Sequence, residues 1–326
     1  ALALHARGHR FDSDILHNFF IMDRKPAIKI DTRALGDTIC SIPVLNKLAK
    51  AYEQPLTVFT AHPILFKNHP SVLETKGIDD NTEGYTLHKT CIFDNIKMHN
   101  NIDIRQFNAW DIGISLTTDE LECDMYCEDA LEIDVTKYVI IHPSKTWESR
   151  TWSEDNWQKL TNKLIDNNIP VVIVGSSLNQ KEWCTNELKW VNKDICNIEG
   201  GISLINSTSI PELRYIMNNH ALCVVTADSG ILHVAGSTDC EIIQLGSSFN
   251  HKLRAPWRKS SQDYKYQYIK GECEIACGSN MKYGLKEWNA INGIPPLANC
   301  LEGYTEFKCH SKVDDVFNSI LKLKNS

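Results

Sequence analysis

The chain has 326 residues and a formal net charge of −7, with 42% hydrophobic and 23% charged side chains. This is the composition of a globular protein long enough for two ordinary domains, and it excludes disordered and fibrous classes. No apolar run approaches a membrane span, Ala1–Arg10 lacks the apolar stretch of a signal peptide, and the acidic balance argues against non-specific nucleic-acid binding.

Residues 1–25 read as irregular, with a short helix around Ile15–Ile21. Ala27–Asp31 is a strand, Thr32–Asp37 a turn, and a helix follows with Leu45, Leu48, Ala49 and Tyr52 at helical spacing. Pro43 falls in that helix's first turns, where a missing N–H costs little. Leu56–Thr60 is the next strand. Ile92-Phe93 and Ile112–Ser115 are predicted as short strands and Ile102–Trp110 as a helix. The acidic stretch Asp119–Asp134 reads as a solvated linker or helix face, on which Cys123 and Cys127 share one side but are too few to hold a metal.

Regularity returns with the strand Tyr138–His142. Glu154–Ile165 is a helix with Trp157, Leu160 and Leu164 on one face and Ser153 as its N-cap. Pro170–Gly175 is a strand, Gln180–Val191 and Pro211–Asn218 are helices, Leu222–Thr226 a strand, Gly230–Gly236 a helix and Glu241–Leu245 a strand. Ser311–Lys324 carries Val313, Val316, Phe317 and Ile320 at helical spacing and forms a closing helix. The β–α alternation occurs twice, over 27–115 and 138–246. It predicts an α/β protein with two doubly wound parallel sheets facing across a cleft, the usual place for a ligand. The boundaries are 1–135 for an N-terminal Rossmann-like domain and 136–326 for a C-terminal one, the latter with an irregular segment at 270–310 and the closing helix.

Three stretches carry the chemistry. In Asp228-Ser229-Gly230 a turn leads from the end of an apolar strand into a helix, an arrangement suited to a phosphate beside Thr226, Ser229 and Gly230. Asp37 lies in a loop at another strand end, where a carboxylate serves as a general base or as the cap of a helix beginning near Thr38. The loop His142–Trp152 brings Lys145 and Arg150 together with Ser144, Ser149 and Thr151, a set able to neutralise a diphosphate. Of the 12 cysteines, Cys40, Cys223 and Cys240 sit in apolar elements as core residues. Cys273, Cys277, Cys300 and Cys309, spaced C-x3-C then C-x22-C-x8-C, leave three readings open: a tetrahedral metal site, two disulfides, or free thiols. His310 is a substitute ligand for the first.

The segment Ile30–Asp37 followed by Ile42-Pro43 resembles the opening motif of the glycosyltransferase family 9 heptosyltransferases. Ser149-Arg150-Thr151-Trp152 with Trp157 resembles their second motif, with Arg150 where the family often has lysine. Asp228-Ser229-Gly230 with His233 and Ala235 resembles their third. The late cysteines, and Leu65-Phe66 followed by His69-Pro70, are similar to features of the autotransporter protein heptosyltransferase subgroup, in which such cysteines bind iron.

The resemblance implies a GT-B fold and an inverting transfer of heptose from ADP-heptose to a hydroxyl on a glycan or protein, without a catalytic metal. Asp37 is then the base. Ser144, Lys145, Arg150, Asn179, Thr226, Asp228, Ser229, Gly230 and His233 hold the donor. Asn179 and Gln180 stand where the family has a ribose-binding glutamate, so the nucleotide is left open. No cofactor is implied for catalysis, and a structural iron or zinc is implied at the four cysteines. A cytoplasmic protein with no membrane span, compatible with a homo-oligomer, is expected. Two alternatives stand beside this reading: a transferase acting on another acceptor, such as a lipid-linked sugar or modified phage DNA, and an inactive nucleotide-sugar-binding protein.

Overall fold

The computed structural model describes residues 24–91, 102–145, 148–177, 194–258, 265–277 and 300–326. The first half opens with β1 (Lys25–Ile30), α1 (Leu35–Ile39), α2 (Ile42–Ala51) and β2 (Leu56–Thr60), followed by β3 (Val72–Gly77), β4 (Tyr85–Thr90) and α3 (Ile104–Trp110). Its sheet is parallel with strand order β3-β2-β1-β4. The second half contains β5 (Tyr138–His142), β6 (Ser144–Lys145), α4 (Glu154–Asp166), β7 (Val171–Ile173), β8 (Asp194–Ile195) and β9 (Ile202–Ser203). It continues with α5 (Ile210–Asn219), β10 (Ala221–Thr226), α6 (Gly230–Gly236), β11 (Glu241–Leu245), β12 (Tyr266–Ile269) and α7 (Val313–Asn325). Its main sheet is also parallel, in the order β12-β11-β10-β5-β7-β9, and β6 pairs with β8 in a separate antiparallel ribbon.

In each sheet the chain steps outward in one direction and then returns to the other side of its first strand. The strand order therefore reverses between β1 and β4 in one sheet and between β5 and β10 in the other. A crevice opens outside the carboxyl ends of the strands at such a reversal, where the flanking loops diverge.

The predicted parallel α/β architecture is present, with differences that have local causes. Ile112–Ser115 is not a strand: Gly113 takes a positive φ of 75° just after α3, and Ile112 and Ile114 pack on the core without a strand paired to them among the described residues. The acidic stretch forms no α-helix, and Cys123, Met125 and Cys127 are buried alternately along an extended chain. β3, β4, β6, β8, β9 and β12 lie where the sequence pattern predicts no strand. The expected helix at Ile15–Ile21, the strand at Ile92-Phe93 and the helix at Gln180–Val191 lie outside the described residues.

One apolar cluster runs through both halves, joining Ile28, Ile30, Leu45 and Val58 to Tyr138, Val224, Leu232 and Val234. A second lies on the far face of the larger sheet, where Val316 and Ile320 of α7 meet Trp157, Leu160 and Leu164 of α4. Lys163 and Asp314 pair at 3.0 Å over that contact. The expected closing helix thus covers an otherwise exposed apolar stripe.

Candidate active site

α1 and α6 are the helices that follow the two switch-point strands, β1 and β10, and they pack against each other. The contact depends on two glycines. A Cβ on Gly36 would lie 3.0 Å from the His233 ring and 3.4 Å from the Gly230 Cα. A Cβ on Gly230 would come within 2.9 Å of the Leu35 Cβ. Side chains at either position would hold the helices apart, so the first and third motifs meet because both lack one there.

Asp37 occupies the third position of α1, half-buried. The helix starts at Leu35, not near Thr38, and its N-cap residue is Ala34, so Asp37 is not the cap residue. Ser41 donates its hydroxyl to the Asp37 carbonyl at 3.0 Å. Cys91, at the end of β4 with a positive φ of 61°, lies on the other side of this switch point. Its buried thiol is pushed well above the usual range by desolvation first and by the Asp37 charge next. Cys91 and Asn108 complete a buried cluster with Ser41: the Asn108 amide donates to the Ser41 hydroxyl at 3.1 Å.

At the second switch point, Thr226 is fully buried and its hydroxyl lies 3.0 Å from that of Ser229. Both hydroxyls lie 3.2 Å from Nδ1 of His142. Ser229 is the N-cap residue of α6 but makes no side-chain capping bond, because its hydroxyl is turned to this trio. Arg150 ties the second motif to the third. Its Nη2 donates to the Asp228 carbonyl and lies 3.2 Å from the Asp228 carboxylate, and the guanidinium sits 5.4 Å from the Phe249 ring centre. The Asp228 side chain is 7% exposed and that of Arg150 20%.

The remaining predicted residues are placed less centrally. Ser144 is buried in the β6–β8 ribbon. Lys145 is paired with Glu154 at 2.8 Å on the surface. His233 is buried at the helix crossing, with Nδ1 3.4 Å from the Cys40 thiol. Asn179, Gln180, Thr146 and Trp147 lie outside the described residues. Trp152 and Trp157 are core residues in edge-to-face contact at 4.8 Å. His142 and Phe249 were not assigned roles from sequence. His142 opens the second-motif loop, which was its only signal, and Phe249 had none.

The late cysteines share one neighbourhood. Cys309 is buried, and its thiol is pushed up to about 12 by desolvation and then by Cys277, Cys273 and Cys300. Thiols gathered around Cys309 are a donor set a soft cation would stabilise. Among the described residues, however, no group of three or more His, Cys, Asp or Glu side chains is spaced to hold an ion, and no disulfide joins two cysteines. His310 gives Nε2 to the Ser149 carbonyl at 3.1 Å, so that nitrogen is not available as a ligand. His69, of the subgroup-like segment, is buried and accepts from the Ser71 N–H, and burial holds its pKa down to about 4.

Two parallel α/β units meet at their switch points, with a carboxylate on one and an arginine-bound turn on the other, which is the GT-B arrangement. The family model for glycosyltransferase family 9 (heptosyltransferase) matches residues 99–278, and the chain belongs to that family. Among solved structures it is similar to the bacterial iron-containing dodecameric glycosyltransferase TibC from enterotoxigenic E. coli H10407. The TM-score is 0.66 at 14% identity, over 93% of this chain and 79% of that one. TibC has also been solved with ADP-D-beta-D-heptose, with the same TM-score at 13% identity, over 93% and 77% of the two chains. The E. coli ADP-heptose lps heptosyltransferase II is similar too, with a TM-score of 0.52 at 13% identity, over 93% and 100%. Among curated proteins, none is similar enough in sequence to match.

Proposed function

We propose that this chain is an inverting glycosyltransferase that moves a heptose from ADP-heptose to a hydroxyl on a glycan or protein. The observation that carries the reading is the glycine-to-glycine crossing of α1 and α6, which brings the Asp37 turn against the Asp228–Gly230 turn. The donor named in the TibC complex supports ADP-heptose as the sugar source.

In this reading residues 1–135 receive the acceptor and residues 136–326 the donor. Asp37 takes the acceptor proton as the hydroxyl oxygen attacks the anomeric carbon. The bond from that carbon to the diphosphate breaks on the opposite face. Arg150, steadied by Asp228 and Phe249, meets the charge that develops on the leaving diphosphate, aided by Ser229, Thr226 and the Gly230 backbone. Positioning and charge stabilisation do the work, and no step needs a metal. No described helix is long and apolar enough to cross a membrane. Buried cysteines without a disulfide among the described residues accord with a reducing compartment, the cytoplasm.

Arg150 provides the test. Its loop position alone predicts that Arg150→Ala folds normally. The pair to Asp228 changes that expectation, because removing the guanidinium from beside a buried carboxylate costs about 3–5 kcal/mol. Arg150→Lys keeps the charge and loses the planar fork. It is expected to weaken ADP binding about tenfold, roughly 1.4 kcal/mol, in titration calorimetry while melting near wild type. Unchanged affinity would make Arg150 a structural residue and remove the main support for the donor site.

We further read the four late cysteines as the ligands of a structural iron or zinc, an expectation in keeping with the description of TibC as iron-containing. The metal would supply cross-linking of a segment with little apolar core of its own. Elemental analysis of protein purified without added metal is expected to find one iron or zinc per chain, lost in Cys309→Ser. Protein with no metal and a full titre of free thiols after denaturation would rule the reading out.

A further inference from the structure

The segment after Cys309 does more than end the cysteine region. Residues 307–311 are wedged between the ends of β11 and β12 and the 149–152 turn. Two glycines allow the approach. A Cβ on Gly246 would lie 2.4 Å from the Cys309 carbonyl oxygen, and one on Gly271 would lie 2.5 Å from that of His310. The wedge is fastened by hydrogen bonds on every side. The Gly246 N–H donates to the Ser311 hydroxyl at 2.7 Å, and that hydroxyl donates to the Ile269 carbonyl. The Trp152 indole donates to the Ser311 carbonyl at 2.8 Å. The Cys273 N–H donates to the Lys308 carbonyl at 3.0 Å.

From this wedge His310 reaches back to the catalytic side. Its ring stacks on Phe307, with centres 5.1 Å apart and planes 28° apart. Nε2 lies 3.1 Å from the Ser149 carbonyl. A carbonyl only accepts, so Nε2 carries the hydrogen, which fixes the tautomer. The Ser149 carbonyl also receives the Ser248 N–H, at the longer distance of 3.4 Å. The backbone turn that holds Arg150 is a single 3-10 turn, Glu148–Arg150, too short to be rigid on its own. The next residue after Ser149 is the one whose guanidinium must stay on Asp228 and Phe249.

We infer that His310 is a positioning residue for the donor site: its Nε2–H bond to the Ser149 carbonyl sets the backbone that aims Arg150 at the leaving diphosphate. The inference rests on the donor-site reading above and deepens it. It also makes the cysteine segment part of the active site's support, since the anchor is the residue beside Cys309. A loop that carries a charged group needs such support, because a displacement of about 1 Å costs much of the group's effect.

The test uses the intact chain, with ADP as the probe in calorimetry and ADP-heptose consumption as the activity. His310→Ala is expected to weaken ADP binding about five- to tenfold, the scale of one lost positioning hydrogen bond. Metal content and melting temperature are expected to stay near wild type. His310→Gln, whose amide N–H can reach the same carbonyl, is expected to recover most of the affinity. Combined with Arg150→Lys, His310→Ala is expected to cost less than the product of the two single effects, because both act on one guanidinium contact. Wild-type affinity in His310→Ala would overturn the inference alone, as would a loss that His310→Gln does not recover or a fully multiplicative double variant. Loss of the metal in His310→Ala would overturn it in favour of a ligand role. A wild-type chain that fails to bind ADP would overturn the donor reading, and this inference with it.

Discussion

Asp37→Asn is expected to bind ADP as wild type does and to turn over at least about 10²-fold more slowly, within the roughly 10²- to 10⁴-fold range for loss of a general base. The substitution keeps the size of the side chain and its place in the first turn of α1, so the fold has no reason to change. It removes the one property the mechanism needs, a carboxylate that can take a proton. An alternative role in holding α1 would show itself differently. Asp37 sits at the third helical position, where a carboxylate gains roughly 0.3–1 kcal/mol from the helix dipole. An effect on that scale lowers the melting temperature slightly and leaves the chemical step alone. ADP release from ADP-heptose in the presence of acceptor separates the two. Turnover near wild type, with or without a small loss of stability, would end the case for Asp37 as the base.

The second large effect is expected at Gly230. Gly230→Val places its Cβ within 2.9 Å of both Cβ and Cδ2 of Leu35, and the Leu35 Cβ is fixed to the helix backbone and cannot swing aside as a flexible chain end can. Valine is intrinsically better than glycine in a helix, by less than about 1 kcal/mol. Overpacking costs about 1–3 kcal/mol and sometimes more, so the steric term wins. The expected outcome is a fall in melting temperature together with loss of transfer activity, since α1 and α6 are pushed apart where the two halves of the chemistry meet. A variant that melts and reacts like wild type would show that the close crossing is dispensable.

The long apolar strands and their following helices were legible because burial on both faces leaves continuous apolar runs, as in Tyr138–His142 and Ala221–Thr226. β3 and β4 were not, because their sequences mix polar and apolar residues and they lie at the two edges of the smaller sheet. Ile112–Ser115 failed for the opposite reason. Alternation shows which side chains turn inward, not whether another strand lies alongside to pair with them. In the site, Asp37, Arg150, Asp228 and Ser229 could be named from motifs. The bonds between them could not, because His142, Phe249 and His310 come together only through tertiary packing of distant segments. The pairing of Arg150 with Asp228 was not legible either, since loop position alone does not show that a residue lies beside a buried charge.

The crossing of α1 and α6 also sets the mechanics of the whole molecule. Because backbone meets nearly bare backbone at Gly36 and Gly230, with an apolar cluster continuous through both halves, this point would act as a fulcrum for any relative motion of the halves. Any rocking of one half against the other turns about it. Displacement grows with distance from a pivot, so the outer strands β3 and β9 would sweep the widest arcs while the switch-point turns barely shift. Such a motion would widen the mouth of the cleft without loosening the spacing between Asp37 and the Arg150–Asp228 pair.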